Sequence, residues 1–128
     1  MNKILIVDDD ETIRMLYADE LTEEGYDVIA SSDGSQLMEL IAQKKPDLIV
    51  LDVWLGEYSG LDLFQDIQNT YYNLPVILCT VYLSFKYDPK PVASGYYVVR
   101  STDLSDLKLK VKMAIEVGSQ APHKNNAK

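Results

Sequence analysis

The sequence predicts an α/β domain: a five-stranded parallel sheet, doubly wound, with helices on both faces. Three observations lead there. Five short runs of apolar residues alternate with stretches whose apolar positions recur at helical spacing, and that alternation belongs to strand–helix units joined by right-handed crossovers. The run Leu48-Ile49-Val50-Leu51 contains no polar residue, which suits a strand covered on both sides better than one with a wet face. A chain of 128 residues is long enough for one domain to bury a core without disulfide or metal staples.

Taken in order, Lys3 to Val7 (KILIV) is the first strand, followed by Asp8-Asp9-Asp10. Ile13, Leu16, Tyr17 and Leu21 then mark a helix that Gly25 ends. Tyr26 to Ala30 is the second strand. Asp33, with Gln36 three residues later, has the form of a capping box, and Leu37, Leu40 and Ile41 form the apolar stripe behind it. Pro46 closes that unit and the central strand begins. Asp52 stands where this strand leaves the core, and Gly56, Ser59 and Gly60 mark a loop. Leu61, Phe64 and Ile67 predict a short helix ending near Asn69. Pro75 opens the fourth strand, Val76 to Cys79, with Thr80 at its carboxyl end, and Tyr96 to Val99 is the fifth.

The fourth of the expected helices, Ser84 to Ser94, contains Pro89 and Pro91. An interior proline costs about 3 kcal/mol and removes a backbone donor, so this helix is expected to be short or distorted. Asp103 and Asp106 start the last helix, with Leu104, Leu107, Val111, Ala114 and Ile115 as its stripe. Residues 1–118 therefore form one domain, and 119–128 are expected to be a polar, disordered tail. His123 lies in that tail and receives no role.

Composition narrows the function. With 20 acidic against 12 basic residues the net charge is −8, which opposes non-specific binding to nucleic acid or to an anionic membrane. No run approaches the about 18 apolar residues of a membrane helix, and the first residues do not form a signal peptide; a cytoplasmic location is expected. The lone cysteine, Cys79, sits inside the apolar run PVILC and reads as a small buried hydrophobe, with no disulfide or multi-cysteine zinc site available to it.

The chemistry rests on carboxylates. Open α/β sheets place their chemistry at the carboxyl ends of their strands, and Asp52 occupies such an end. If the first and third strands are neighbours, the turn Asp8 to Asp10 faces Asp52. Carboxylates brought that close must share protons or hold a cation, and a small set of oxygen ligands suits magnesium, which keeps several waters. An aspartate ahead of a helix also caps it and favours its dipole; that accounts for Asp10 and leaves Asp8 and Asp9 to be explained. Nucleotide binding, a common use of such sheets, calls for glycine- or hydroxyl-rich turns that cradle phosphate. Here the first turn is acidic and no G-x-G-x-x-G follows a strand. A metal-assisted phosphoryl transfer onto a carboxylate fits better.

The segments KILIVDDDE, DLIVLD with Gly60 eight residues on, PVILCT and YYVVRS together resemble the receiver domain of bacterial two-component response regulators. The likeness spans about residues 1–118 with the motifs in the family's order. It implies the flavodoxin-like strand order 2-1-3-4-5. It also implies that Asp52 accepts a phosphoryl group from a histidine kinase, a histidine phosphotransfer protein or a small acyl phosphate. By the same resemblance Asp9 ligates magnesium, with Asp8 beside it, Asp52 contributing its carboxylate and Trp54 its backbone carbonyl. Thr80 would donate its hydroxyl to the phosphoryl group, and Tyr97 matches the aromatic that swings inward with it. Taken alone, Thr80 is an ordinary strand-end hydroxyl and Tyr97 a core aromatic.

The chain also departs from the family pattern. Arg100 stands where receivers carry lysine, and a planar fork is not equivalent to a compact ammonium at a tight phosphate site. Ser101 replaces the proline that usually follows. Gly56 replaces a common proline in the loop after Asp52, and Val81 an alanine or glycine, which narrows access to Asp52. The two prolines fall on the face (fourth helix, fifth strand, last helix) that receivers use for dimerisation or output.

Three functions follow in order. The first is a phosphorylatable receiver, switched at Asp52 and turning over no external substrate. The second is a degenerate receiver that binds partners without phosphorylation. The third is an aspartate-nucleophile phosphatase, which ranks last because such enzymes carry an aspartate two residues after the nucleophile and this chain has Trp54. No output domain follows in the sequence, so both a stand-alone regulator and a receiver from a longer chain stay open.

Overall fold

The structure is a computed structural model that describes residues 2–55, 58–80, 95–99 and 104–120, with backbone only at 54, 58, 80, 95–99 and 117–120. Five strands form one sheet: β1 (Lys3–Val7), β2 (Asp27–Ser31), β3 (Leu48–Asp52), β4 (Val76–Thr80) and β5 (Gly95–Val99). Their order is β2-β1-β3-β4-β5 and every pairing is parallel. Helices α1 (Glu11–Glu23), α2 (Leu37–Lys44), α3 (Gly60–Thr70) and a C-terminal helix (Ser105–Gln120) complete it. This is the doubly wound, flavodoxin-like arrangement expected from the sequence. The expected helix at 84–94 lies outside the described residues, as do Pro89, Pro91 and His123.

The apolar runs form strands because both of their faces are covered. Ile4, Ile6, Leu48, Val50, Ile77 and Cys79 point into one layer, where they meet Tyr17 and Leu21 of α1 and Leu107, Val111 and Ala114 of the C-terminal helix. The alternate residues Leu5, Val7, Ile49, Leu51, Val76 and Leu78 point into the other, against Leu37 and Ile41 of α2 and Leu63, Phe64 and Ile67 of α3. Successive side chains on a strand face opposite ways, so a strand between two helical layers needs no polar residue. β2 lies at the sheet edge, and its residues are exposed or half-buried.

Local signals set the helix ends. Asp10 caps α1 by accepting the Ile13 N–H at 3.2 Å, and Gly25, at φ +99°, takes the left-handed backbone that turns the chain after α1. Lys45 (φ 51°) ends α2 in the same region. Asp33 accepts the Ser35 N–H at 2.8 Å, but it caps a short 3-10 turn, Gly34–Gln36, and α2 begins only at Leu37.

Several side chains fall differently from the periodic reading. On α1 the buried line runs through Tyr17 and Leu21, with Ile13 half-buried, while Leu16 is 36% exposed; one residue from Tyr17, it sits a quarter-turn off the line. On α3 Leu63 is buried, and Leu61 only packs against the edge of that layer. The loop after Asp52 contains a small antiparallel ribbon, Trp54–Leu55 against Tyr58–Ser59, which two-residue strands give no period to reveal. The C-terminal helix runs on past Gly118 to Gln120.

Lys108 ties the two helices of one layer together, its ammonium 2.7 Å from Glu20 and 3.7 Å from Glu24 of the α1 end. The hydrogen bond to Glu20, with the charges of Glu20 and Glu24, holds the Lys108 pKa above its ordinary value. The tie is therefore present throughout the neutral range and is lost as the pH rises through the raised lysine value.

No helix among the described residues is long and apolar enough to cross a membrane. Leu21 is fully buried between α1 and the sheet, so Leu21→Ala is expected to cost about 2–5 kcal/mol in urea unfolding. Leu109→Ala, at a site 55% exposed, is expected to stay within about 0.5 kcal/mol of the parent.

Candidate functional site

The topology makes the crevice. β1 and β3 are neighbours, with Val7 opposite Leu51, yet the helices that follow them leave to opposite layers, α1 to one and α3 to the other. The chain parts at their carboxyl ends, which is where open α/β sheets bind ligands. The register carries on past the strands and brings Asp8 alongside Asp52. These are the two buried charged or polar residues among those described, 2% and 4% exposed. Asp9 stands exposed above them. One carboxylate oxygen from each of Asp8, Asp9 and Asp52 lies within 4.8 Å of the other two.

The turn after β1 is pinned at several points. The Asp8 N–H donates to the Ser31 carbonyl at 3.1 Å, continuing the β1–β2 ladder by one rung. The Asp8 carboxylate accepts the Asp10 N–H at 2.9 Å, and the Asp8 carbonyl accepts from the Arg14 guanidinium at 2.8 Å. Arg14 was not singled out from the sequence. The signal was present: a long side chain one turn into a helix leans back toward the helix start, and Asp10, the cap, is four residues earlier.

Asp52 is held from below by the sheet and from the side by α3. It is the register partner of Cys79, and the next residue, Val53, donates to the Cys79 carbonyl at 3.0 Å. The Gly60 N–H donates to the Val53 carbonyl at 2.7 Å, closing the loop that contains the ribbon. At Gly60 the start of α3 lies directly against this backbone: a Cβ there would fall 2.2 Å from the Asp52 carbonyl oxygen and 2.6 Å from the Val53 Cα. Only glycine allows that approach. Ser59 caps α3, accepting the Asp62 N–H at 3.4 Å.

The remaining predicted residues are placed as follows. Thr80 ends β4, one residue past Cys79, and pairs with Val99. Tyr97 lies in the middle of β5, paired with Leu78. The Trp54 backbone is in the ribbon, two residues past Asp52. Arg100, Ser101, Val81 and Gly56 lie outside the described residues.

The oxygen trio fits a hard divalent cation. Magnesium–oxygen distances of about 2.1 Å put opposite ligands about 4.2 Å apart, so a span of up to 4.8 Å closes with small side-chain movements. One exposed ligand beside two buried ones leaves coordination positions to water, as magnesium prefers.

Sheet order and crevice together define a flavodoxin-like α/β domain with an acidic centre at its switch point. The chain belongs to a particular family within that class: residues 4–111 match the response regulator receiver domain family. The regulatory protein AtoC of Escherichia coli K12 is 27% identical over 121 residues, covering 93% of this chain and 26% of AtoC. The alkaline phosphatase synthesis transcriptional regulatory protein PhoP of Bacillus subtilis is 40% identical over 78 residues, 61% of this chain and 32% of PhoP. The chain thus spans about a quarter to a third of the length of these two curated relatives. Among solved structures, the response regulator TrrA from Thermotoga maritima in complex with Mg2+-BeF superposes with a TM-score of 0.84 at 34% identity, over 89% of this chain and 99% of that one. The complex of histidine kinase ThkA with TrrA matches with a TM-score of 0.82, at the same 34% identity, over 89% of this chain and 98% of the matched chain.

Gly60→Ala tests the close approach. The added methyl must displace backbone rather than a side-chain tip, so a loss of about 1–3 kcal/mol is expected in chemical denaturation. The amide resonances of Asp52 and Val53 should shift with it; unchanged resonances and stability would contradict the packing described.

Proposed function

We propose that this chain is a phosphorylatable receiver in which Asp52 accepts the phosphoryl group. The convergence of three carboxylate oxygens from two separate turns, with Asp52 at the end of the central strand, carries this reading. A similar protein has a structure with Mg2+-BeF and another with a histidine kinase, which supports magnesium and a kinase or phosphotransfer partner here. The domain is taken as residues 1–118.

In the transfer, a carboxylate oxygen of Asp52 attacks the phosphorus of a phosphohistidine as the phosphorus–nitrogen bond breaks. The bonding pair returns to the imidazole, and Asp52 becomes an acyl phosphate. Water attack at phosphorus later restores the carboxylate and releases inorganic phosphate, so no external substrate is turned over. Asp9, Asp8, Asp52 and the Trp54 carbonyl would hold magnesium, which when bound offsets the negative charge of carboxylates and phosphoryl oxygens. Thr80 donates its hydroxyl and Arg100 its charge to the phosphoryl oxygens. Tyr97 follows Thr80 inward, and the equilibrium between two arrangements of the face around β5 shifts. That face is the proposed surface for a second copy or an output partner. The acidic balance keeps the domain off nucleic acid, and its proposed location is the cytoplasm.

A second reading, a receiver that binds partners without phosphorylation, is favoured by Arg100 and Val81, which depart from the family's usual lysine and small residue. The two readings separate on one experiment. With magnesium and a small acyl phosphate, the intact mass is expected to rise by one phosphoryl group, and Asp52→Asn should remove the gain completely. No mass gain with acyl phosphate and no spectral change with beryllofluoride would support the second reading.

Metal binding has its own test. Trp54 is the only tryptophan, and millimolar magnesium is expected to quench its fluorescence, with Asp9→Ala abolishing the response. A signal indifferent to magnesium in the parent protein would count against the metal assignment.

A further inference from the structure

We propose that Arg14 is a positioning residue for the cation site, acting through the Asp8–Asp9 peptide; this rests on the reading of the acidic trio as a magnesium centre. Arg14 is half-buried on the first turn of α1, and its guanidinium donates at 2.8 Å to the Asp8 carbonyl. A peptide unit is planar, so fixing that carbonyl also fixes the Asp9 N–H and the start of the Asp9 side chain. Two further bonds of Asp8, to Ser31 and Asp10, act on its N–H and its carboxylate. Arg14 alone among these three bonds reaches the link between the buried ligand and the exposed one.

The choice of acceptor matters. A cation beside three carboxylates would ordinarily pair with one of them, and such a pair would compete with a bound metal. Here the fork spends a donor on a backbone carbonyl, and the trio's oxygens remain gathered within 4.8 Å. A charge-assisted hydrogen bond is roughly twice as strong as a neutral one, enough to select one orientation of a turn that glycine-free sequence would otherwise share among several. Its electrostatic effect on a divalent cation has the opposite sign, since like charges repel. The two contributions can therefore be told apart by the direction of change when Arg14 is replaced. The positional one dominates.

The test is calorimetric titration of the full chain with magnesium alone, comparing the parent with Arg14→Met and Arg14→Lys, alongside the unfolding midpoint of each without metal. Arg14→Met keeps the stem and removes both donor and charge; its magnesium affinity is expected to fall roughly tenfold. Arg14→Lys, a point charge able to make one bond without the planar fork, should bind with an affinity between the two. The Asp9 amide resonance should move in both variants. Met-variant binding as tight as the parent's or tighter would overturn the proposal, showing a charge effect or a purely structural one, even if the midpoint drops. Should Arg14→Met not fold, Arg14→Lys decides: affinity equal to the parent's overturns it. Absence of magnesium binding by the parent protein would instead sink the metal reading, and Arg14 with it.

Discussion

The structure depends on two carboxylates being held side by side out of water. Asp8 and Asp52 occupy adjacent strand ends, almost wholly covered, because parallel pairing of β1 with β3 fixes their register. Like charges in such a place repel, and burial penalises each of them. The fold meets this cost with a rigid frame. Asp8 is bonded at its N–H, its carbonyl and its carboxylate, and the backbone beside Asp52 is bonded to β4 and to the start of α3. A divalent ion would relieve the remaining strain in charge, which is why the same frame reads as a metal centre.

Two separate apolar layers make that frame stiff. Each layer takes alternate residues of the same strands, so the sheet is packed from both sides at once. The helices that flank the crevice belong to different layers, α1 to one and α3 to the other. The carboxylates of the first turn and of the central strand therefore rest on supports that do not share a helix. Membership of the receiver family and the match to a magnesium–beryllofluoride complex of a similar regulator agree with a centre built to keep its parts in register.

Much of this was legible in the sequence, and for a physical reason. Strands buried on both faces must be apolar throughout, so β1, β3 and β4 stand out as unbroken runs, and the acids at their ends stand out by contrast. Helix stripes were legible to within a residue or so: Tyr17, Leu21, Phe64 and Ile67 fell as expected, while Leu16 is exposed and Leu63 buried, because the neighbour of a stripe residue lies only about a quarter-turn away on the helix. What escaped were features without period. The ribbon at Trp54–Ser59 has strands of two residues, and Arg14 acts on a backbone atom six positions back; its place one turn after the cap hinted that it leans toward the helix start, but which atom it meets depends on the turn's shape.

The contact at Gly60 has a wider consequence. There the first turn of a helix touches the main chain of Asp52 and Val53 with no side chain interposed. The stretch between them behaves as a closed ring whose circumference is set by backbone alone. The length of that stretch is therefore constrained: adding or removing a single link would push the helix off its seat and drag the strand end along, and Val53 and Leu55 within it are themselves buried against the α2–α3 layer.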